Sequence, residues 1–289
     1  HNITGNSFYD KKYDEKYSMY DRDKVRDPKF YQAEPIWVTA ERQGVHSASY
    51  FWVGTEAPVK GYSPSIFKYY DGSVEFRSRV DSVISWFKLS EEQRPRLIML
   101  YFSEPDYTCH ILGASHPEIK TKVAEMDSLL GYLMENLEKL EIYDKMNIFV
   151  VSDHGMSDVS SERLIILDNY ISRMDDVYIN GRGSHVQFDF KTDHSQNAAS
   201  LLEELKQIPH CQFWKKNKIP QRFHFVNRNT GDYLLLANEG WFITTKSDMD
   251  KGPFYLKGMH GYDPKLQSMH SIFFAIGNNI KEGIQIPAF

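Results

Sequence analysis

Two short apolar runs separated by a long amphipathic stretch constrain this chain more than anything else in it. Residues 97–102 read Leu-Ile-Met-Leu-Tyr-Phe behind Pro95, and residues 148–151 read Ile-Phe-Val-Val. Between them, Ile119, Val123, Met126, Leu130, Leu133, Leu137 and Leu140 trace one face of a helix about six turns long. Strands without polar alternation are buried on both faces. The pattern therefore predicts an α/β fold, a mostly parallel sheet sandwiched by helices. A length of 289 residues is ample for such a core. In open α/β sheets, ligands gather beyond the carboxyl ends of the strands.

The rest of the chain fills in around this unit. Residues 1–34 are polar and tyrosine-rich and read as an irregular lead-in. Residues 35–43 predict a short helix entered through Pro35 and stopped by Gly44, and residues 47–53 a buried strand ending at Gly54. Residues 54–72 read as loop, and residues 73–89 as a helix capped by Ser73. After residue 160 the rhythm changes: 177–179, 185–190, 223–226, 233–236 and 241–243 are strand-like, with one helix near 198–206. The main sheet resumes at 270–276. The expected organisation is a catalytic α/β core of residues 1–160 and 256–289, with a small α+β insertion at 161–255.

Composition narrows the function classes. Hydrophobic residues make up 41% and charged residues 25%, which excludes a disordered or collagen-like chain. A formal net charge of −5 argues against a protein that wraps duplex nucleic acid. A small anionic ligand needs only a local positive centre, and a metal can supply it. Cys109 and Cys211 cannot build a disulfide framework or a four-thiolate zinc site. No apolar run reaches the roughly 20 residues of a membrane-crossing helix. The chain opens at His1 with neither an initiator Met nor a signal-like segment. Its true start is expected upstream.

Metal-type residues follow the two apolar runs. The first leads into Ser103-Glu104-Pro105-Asp106-Tyr107-Thr108-Cys109-His110 and the second into Ser152-Asp153-His154-Gly155-Met156. Gly258-Met259-His260-Gly261-Tyr262-Asp263 precedes the resumed strand. Asp106 and His110 are four apart, hence on one face if the segment is helical. Carboxylate oxygen mixed with imidazole nitrogen suits zinc ahead of manganese or iron. Singly, each piece has a plainer reading as a helix cap or a hydrogen-bonded loop histidine. Cys109 reads as packing, and His116, His185, His194, His210, His224 and His270 as structural or exposed.

Together these three segments resemble the nucleotide pyrophosphatase/phosphodiesterase family of the alkaline phosphatase superfamily. The likeness runs over roughly residues 1–279 and includes Pro35-Ile36-Trp37 and Trp52-Val53-Gly54-Thr55-Glu56. The style of residues 35–160 is closest to bacterial members. The resemblance implies an alkaline phosphatase-like fold and a two-zinc site. Asp106, His110 and His260 would hold one zinc; Asp153 and His154 would hold the other, with an Asp and a nucleophilic Thr that family members carry earlier in the chain. Asn6 would donate to a phosphate oxygen, Tyr101 would stack on a nucleobase, and Tyr70 or its neighbour Tyr69 would face it.

Thr4 matches a position after the nucleophile, so the nucleophile is expected in an N-terminal segment missing from this chain. That segment would be the chain's partner, and the 289 residues alone would turn over substrate weakly or not at all. The implied activity is zinc-dependent hydrolysis of small nucleotide phosphodiesters and pyrophosphates, in a periplasmic or secreted setting. Lipid phosphodiesters are the family's other substrate class. The alternatives are a phosphomonoesterase or another hydrolase of the superfamily, and a non-catalytic metal- or nucleotide-binding fragment.

Overall fold

A computed structural model describes residues 2–191 and 198–287; His194 lies outside the described residues. In chain order the elements are β1 (Ser7–Asp10), β2 (Glu15–Ser18), α1 (Arg22–Arg26), α2 (Ile36–Arg42), β3 (Ser47–Tyr50), β4 (Ile66–Lys68), α3 (Phe76–Phe87), β5 (Leu97–Leu100), α4 (Asp106–Leu112), α5 (Pro117–Leu137), β6 (Asn147–Val151), β7 (Ser157–Asp158), β8 (Leu164–Ile166), β9 (Val177–Asn180), β10 (His185–Phe190), α6 (Ala198–Lys206), β11 (Cys211–Lys215), β12 (Tyr233–Ala237), β13 (Phe242–Thr244), α7 (Lys246–Met249), β14 (Gly258–Met259) and β15 (Phe273–Gly277). They group into two compact units. One comprises His1–Ser103, Glu125–Lys139 and Asn227–Asn229, the other Glu104–Ala124, Leu140–Val226 and Thr230–Phe289.

The first unit contains a parallel sheet that includes one of the two apolar runs, as β5. β3 lies between β4 and β5, parallel to both, with Ala48 opposite Ile66 and Ile98. All four β3 residues are buried. Val83 and Trp86 of α3 pack on Ala48, Tyr50 and Phe51, with Leu133 of α5 joining from the partly buried rim. Arg79 is fully buried in this cluster. Its guanidinium is satisfied by donating to the carbonyls of Val74 and Tyr101, at 3.0–3.1 Å. Such pairing is the condition for burying a charge. Helix α3 begins three residues after Ser73, which does not cap it; Asp71 instead accepts from the Ser73 backbone and hydroxyl at 2.9 and 2.6 Å.

Residues 2–34 are more ordered than an irregular lead-in. β1 and β2 form an antiparallel hairpin, and Phe8, Tyr17, Val25 and Phe30 make a small core of their own. Phe8 stacks on Tyr17 with ring centroids 4.9 Å apart. Asp10, also fully buried, accepts from Arg228 at 2.7 Å and from Asn229 at 3.0 Å. This contact ties residues 227–229 to the first unit.

In the second unit an antiparallel sheet runs in the order β11-β12-β10-β9. Its core gathers Val186, Phe188 and Leu235 with Leu201 and Leu205 of α6. β8 and β13 pair in parallel, β7 and β14 antiparallel. β6 pairs antiparallel with β15, Val151 opposite Phe273, rather than extending the parallel arrangement of β5. A continuous apolar run signals burial but carries no direction, and antiparallel pairs are common in mostly parallel folds. Several apolar side chains of this pair are exposed, Phe274 by 65% and Phe149 by 56%. The strand expected at 223–226 is instead a 3₁₀ turn, Gln221–Phe223, ended by His224 at a positive φ of 46°. No helix among the described residues is long and apolar enough to cross a membrane.

Gly131 lies within α5, and a Cβ there would meet nothing within 4 Å. Gly131→Ala is therefore expected to stabilise the chain by about 0.5–1 kcal/mol, because glycine loses more backbone freedom in a helix than alanine does. The midpoint of urea unfolding at unchanged slope checks this.

Candidate metal centre

The site is built within the second unit, where three segments are fastened by backbone hydrogen bonds. Asp106 opens α4 and His110 follows one turn later, on the same face as their spacing predicts. The Lys257 N–H donates to the His110 carbonyl at 2.8 Å, and the Val159 N–H to the Lys257 carbonyl at 2.8 Å. β7 pairs with β14 so that Ser157 faces Met259, the residue before His260. The turn 152–156 after β6 is held to the segment before β15 by Gly155 N–H donating to Met269 O at 3.1 Å.

These constraints bring Asp106, His110 and His260 together. One ligand-type atom from each falls within 4.8 Å of the others. His110 Nε2 is 3.5 Å and His260 Nε2 is 3.8 Å from Asp106 Oδ1. The His154 ring stacks on His260, with centroids 3.5 Å apart and planes 8° from parallel. Asp153 Oδ2 lies 3.3 Å from His154 Nε2, its side chain largely exposed.

The donor set fits a metal by two observations. Asp106 Oδ1 is sealed from solvent and has no hydrogen-bond partner. Burying such an atom unpaired costs about 1–3 kcal/mol. His110 Nδ1 is 2.8 Å from the Gly258 carbonyl, which leaves Nε2 facing Asp106. Metal-binding histidines are typically oriented by a second ring nitrogen of this kind.

The electrostatics divide the imidazoles. Burial and the neighbouring His154 and His110 push His260 down to about 3, so it is neutral and presents a free lone pair. Burial also opposes charge on His154, yet the Asp153 carboxylate and the Gly155 carbonyl outweigh it and raise this group. Asp153 is in turn held below the usual carboxylate range by His154. Burial raises Asp106 against the opposing pull of His110 and His154. Cys109 is buried and its thiol is pushed up to about 11, chiefly by burial, in keeping with a packing role.

The sequence-based substrate residues belong to the other unit. Asn6 is exposed just before β1, its carbonyl accepting from Met19 N–H at 2.8 Å. Tyr70 is 41% exposed and packs edge-on against Phe51. Tyr101 is half-buried against the Ala48 and Tyr50 cluster. Tyr69 is also exposed, with Arg26 over its ring.

Other contributors escaped the sequence reading. The Gly258 carbonyl orients His110, and a backbone atom leaves no composition signal. His185 had no assigned role, yet its ring lies 3.6 Å from the point where a Cβ on Gly261 would sit, and its charge also weighs on His260. Asp263 is gripped by both terminal nitrogens of Arg222.

A family model described as type I phosphodiesterase / nucleotide pyrophosphatase matches residues 1–263. The chain belongs to this family. It is 33% identical over 297 residues to venom phosphodiesterase CdcPDE of Crotalus durissus collilineatus, an alignment covering 100% of this chain and 35% of that protein. Human ectonucleotide pyrophosphatase/phosphodiesterase 5 superimposes with a TM-score of 0.87 at 33% identity, over 96% of this chain and 72% of the other. An inactive threonine-to-alanine variant of the murine counterpart, in complex with AMP, does so with the same score at 31% identity and the same coverage. The chain thus spans about a third of the length of the curated relatives it matches. The alkaline phosphatase-like α/β class expected from the sequence agrees with these structural neighbours.

The contact of β14 with α4 leaves no room for a side chain at 258: a Cβ there would lie 2.3 Å from the Cys109 carbonyl oxygen. Gly258→Ala is expected to cost about 1–3 kcal/mol through overpacking and to displace the carbonyl that orients His110. A lowered thermal midpoint, with a shifted His110 ring resonance, checks it.

Proposed function

We propose that this chain forms the metal-holding part of a zinc-dependent phosphodiesterase that hydrolyses nucleotide phosphodiesters and pyrophosphates. The observation that carries this reading is the solvent-sealed Asp106 Oδ1 facing the Nε2 atoms of His110 and His260. Those three residues would hold one zinc, leaving a position open to substrate oxygen. Asp153 and His154 would contribute to a second, completed by an Asp and a nucleophilic Thr on a segment outside these 289 residues. The inactive threonine variant of the murine relative supports a threonine nucleophile.

Bound zinc supplies positive charge that lowers a nucleophile's pKa and stabilises phosphoryl and leaving-group oxygens. The chain's own residues do the positioning. The Gly258 carbonyl fixes the His110 ring, burial keeps His260 unprotonated, and the Gly155 carbonyl, 2.9 Å from His154 Nδ1, turns the other imidazole nitrogen toward Asp153. A nucleotide as substrate is supported by the AMP complex of the murine relative. The roles of Asn6 on a phosphate oxygen and of Tyr101 and Tyr70 beside the base rest on the family resemblance. An extracytoplasmic setting is supported by the venom and ectoenzyme names of the relatives.

Metal analysis of the 289-residue chain tests the site. Zinc uptake is expected, weakened roughly 100-fold or more by His260→Ala or Asp106→Asn, since even residues behind the ligands are worth 10–100-fold. Zinc affinity unchanged in both variants would overturn the assignment. In the full-length protein, p-nitrophenyl thymidine monophosphate is expected to be hydrolysed in preference to p-nitrophenyl phosphate, and chelation to abolish the activity. The reverse preference would instead favour a phosphomonoesterase.

A further inference from the structure

We propose that Glu239 is a positioning residue that sets the spacing between the Asp153–His154 turn and the segment carrying His260; this rests on the metal-centre reading above. One carboxylate oxygen, Oε1, accepts from Ser157 Oγ at 2.5 Å and also from Ser268 Oγ. Ser157 lies three residues past His154 and faces Met259, next to His260, across the β7–β14 pair. Ser268 packs against the same turn, where its carbonyl oxygen would be 2.0 Å from a Cβ on Gly155. A single oxygen thus links the chain just past the turn that presents Asp153 and His154 to the segment packed on that turn.

The residues after Glu239 extend this brace. Gly240 packs against the Arg163 guanidinium, and Arg163 donates to the Asp158 carbonyl at 3.2 Å. The Trp241 carbonyl accepts from Tyr262 Oη at 2.9 Å, two residues past His260. Residues 239–241 therefore touch the segments on both sides of the stacked His154–His260 pair while contacting neither ligand. An ionised acceptor makes shorter, stronger hydrogen bonds than a neutral one. The two serine hydroxyls also hold the Glu239 carboxyl below its usual range.

The test uses the whole 289-residue chain and zinc alone, with affinity read by competition against a chromogenic chelator. Glu239→Ala is expected to weaken zinc binding by about 10–100-fold, the scale on which residues behind metal ligands act. Glu239→Gln, which keeps an oxygen acceptor, is expected to restore affinity to within about threefold of wild type. Glu203→Ala removes an exposed acid paired with Lys206 and serves as the charge control. The thermal midpoint, read in parallel, separates loss of positioning from loss of fold. Zinc affinity of a folded Glu239→Ala chain within about threefold of wild type would overturn the proposal. Should that variant fail to fold, Ser268→Ala decides in its place, with a weakening of roughly tenfold expected and no change overturning it.

A metal-free readout keeps the two claims apart. Hydrogen exchange at the Gly155 amide is expected to accelerate about tenfold or more in Glu239→Ala and not in Glu203→Ala. If wild type takes up no zinc, the metal-centre reading fails, and unchanged exchange at Gly155 overturns the role of Glu239 independently.

Discussion

The arrangement of the site depends on one close approach, the backbone of Gly258 pressed against the end of helix α4. Because residue 258 has no side chain, its carbonyl can reach His110 Nδ1 at 2.8 Å while Lys257 N–H pairs with the His110 carbonyl. That double contact fixes His110 in position and in ring orientation at once. β14 passes the constraint on, since pairing with β7 sets the chain just beyond His154, and His260 follows directly from Met259. Three segments far apart in sequence thus converge through backbone hydrogen bonds. Such bonds are strongly directional and need no side-chain ordering.

Convergence of three imidazoles creates an electrostatic problem that the site resolves by dividing roles. Rings stacked 3.5 Å apart cannot both carry charge cheaply in a half-buried setting. The exposed Asp153 carboxylate favours charge on His154, and the deeper His260 stays neutral. Neutral imidazole is the form that binds a metal, so a cation taken up at His154 would displace its proton. Asp106 Oδ1 lies 3.8 Å from His260 Nε2 in a carboxyl raised by burial, so a cation between them would relieve both the unpaired oxygen and the desolvation of the group.

Much of this was legible in the sequence, and the parts that were not share a physical cause. The four-residue spacing of Asp106 and His110 encodes a helical face directly, and the apolar runs at 97–102 and 148–151 mark β5 and β6 to within two residues. The hairpin at residues 7–18 was hidden because only Phe8 and Tyr17 carry its core amid polar neighbours, too few to show a period. β4 and β11 are short, and their side chains are half-buried or exposed, so burial left a faint pattern in both. At 223–226 the run Phe-His-Phe-Val looks like alternation. Four residues cannot distinguish a strand from a turn, and Arg222 is anchored to Asp263 beyond the window. The carbonyls of Gly258 and Gly155 could not be read at all, because every residue has one.

The segment following His260 shows why a histidine on a loop can be as well fixed as one on a helix. Gly261, at a positive φ of 85° that favours glycine, turns the chain against the Ser184 hydroxyl. Tyr262 is buried and its hydroxyl donates to the Trp241 carbonyl. Asp263 accepts both terminal nitrogens of Arg222 and caps the Lys265 N–H at 3.0 Å. Each successive residue is therefore fastened to a different part of the same unit, and the imidazole before them has little conformational freedom left to lose. Binding energy that would otherwise order the loop remains available for discrimination at the site, which is the advantage of preorganisation. In the motif His260-Gly261-Tyr262-Asp263 one imidazole is followed by three anchors, and the anchors make the position of that ring a property of the fold.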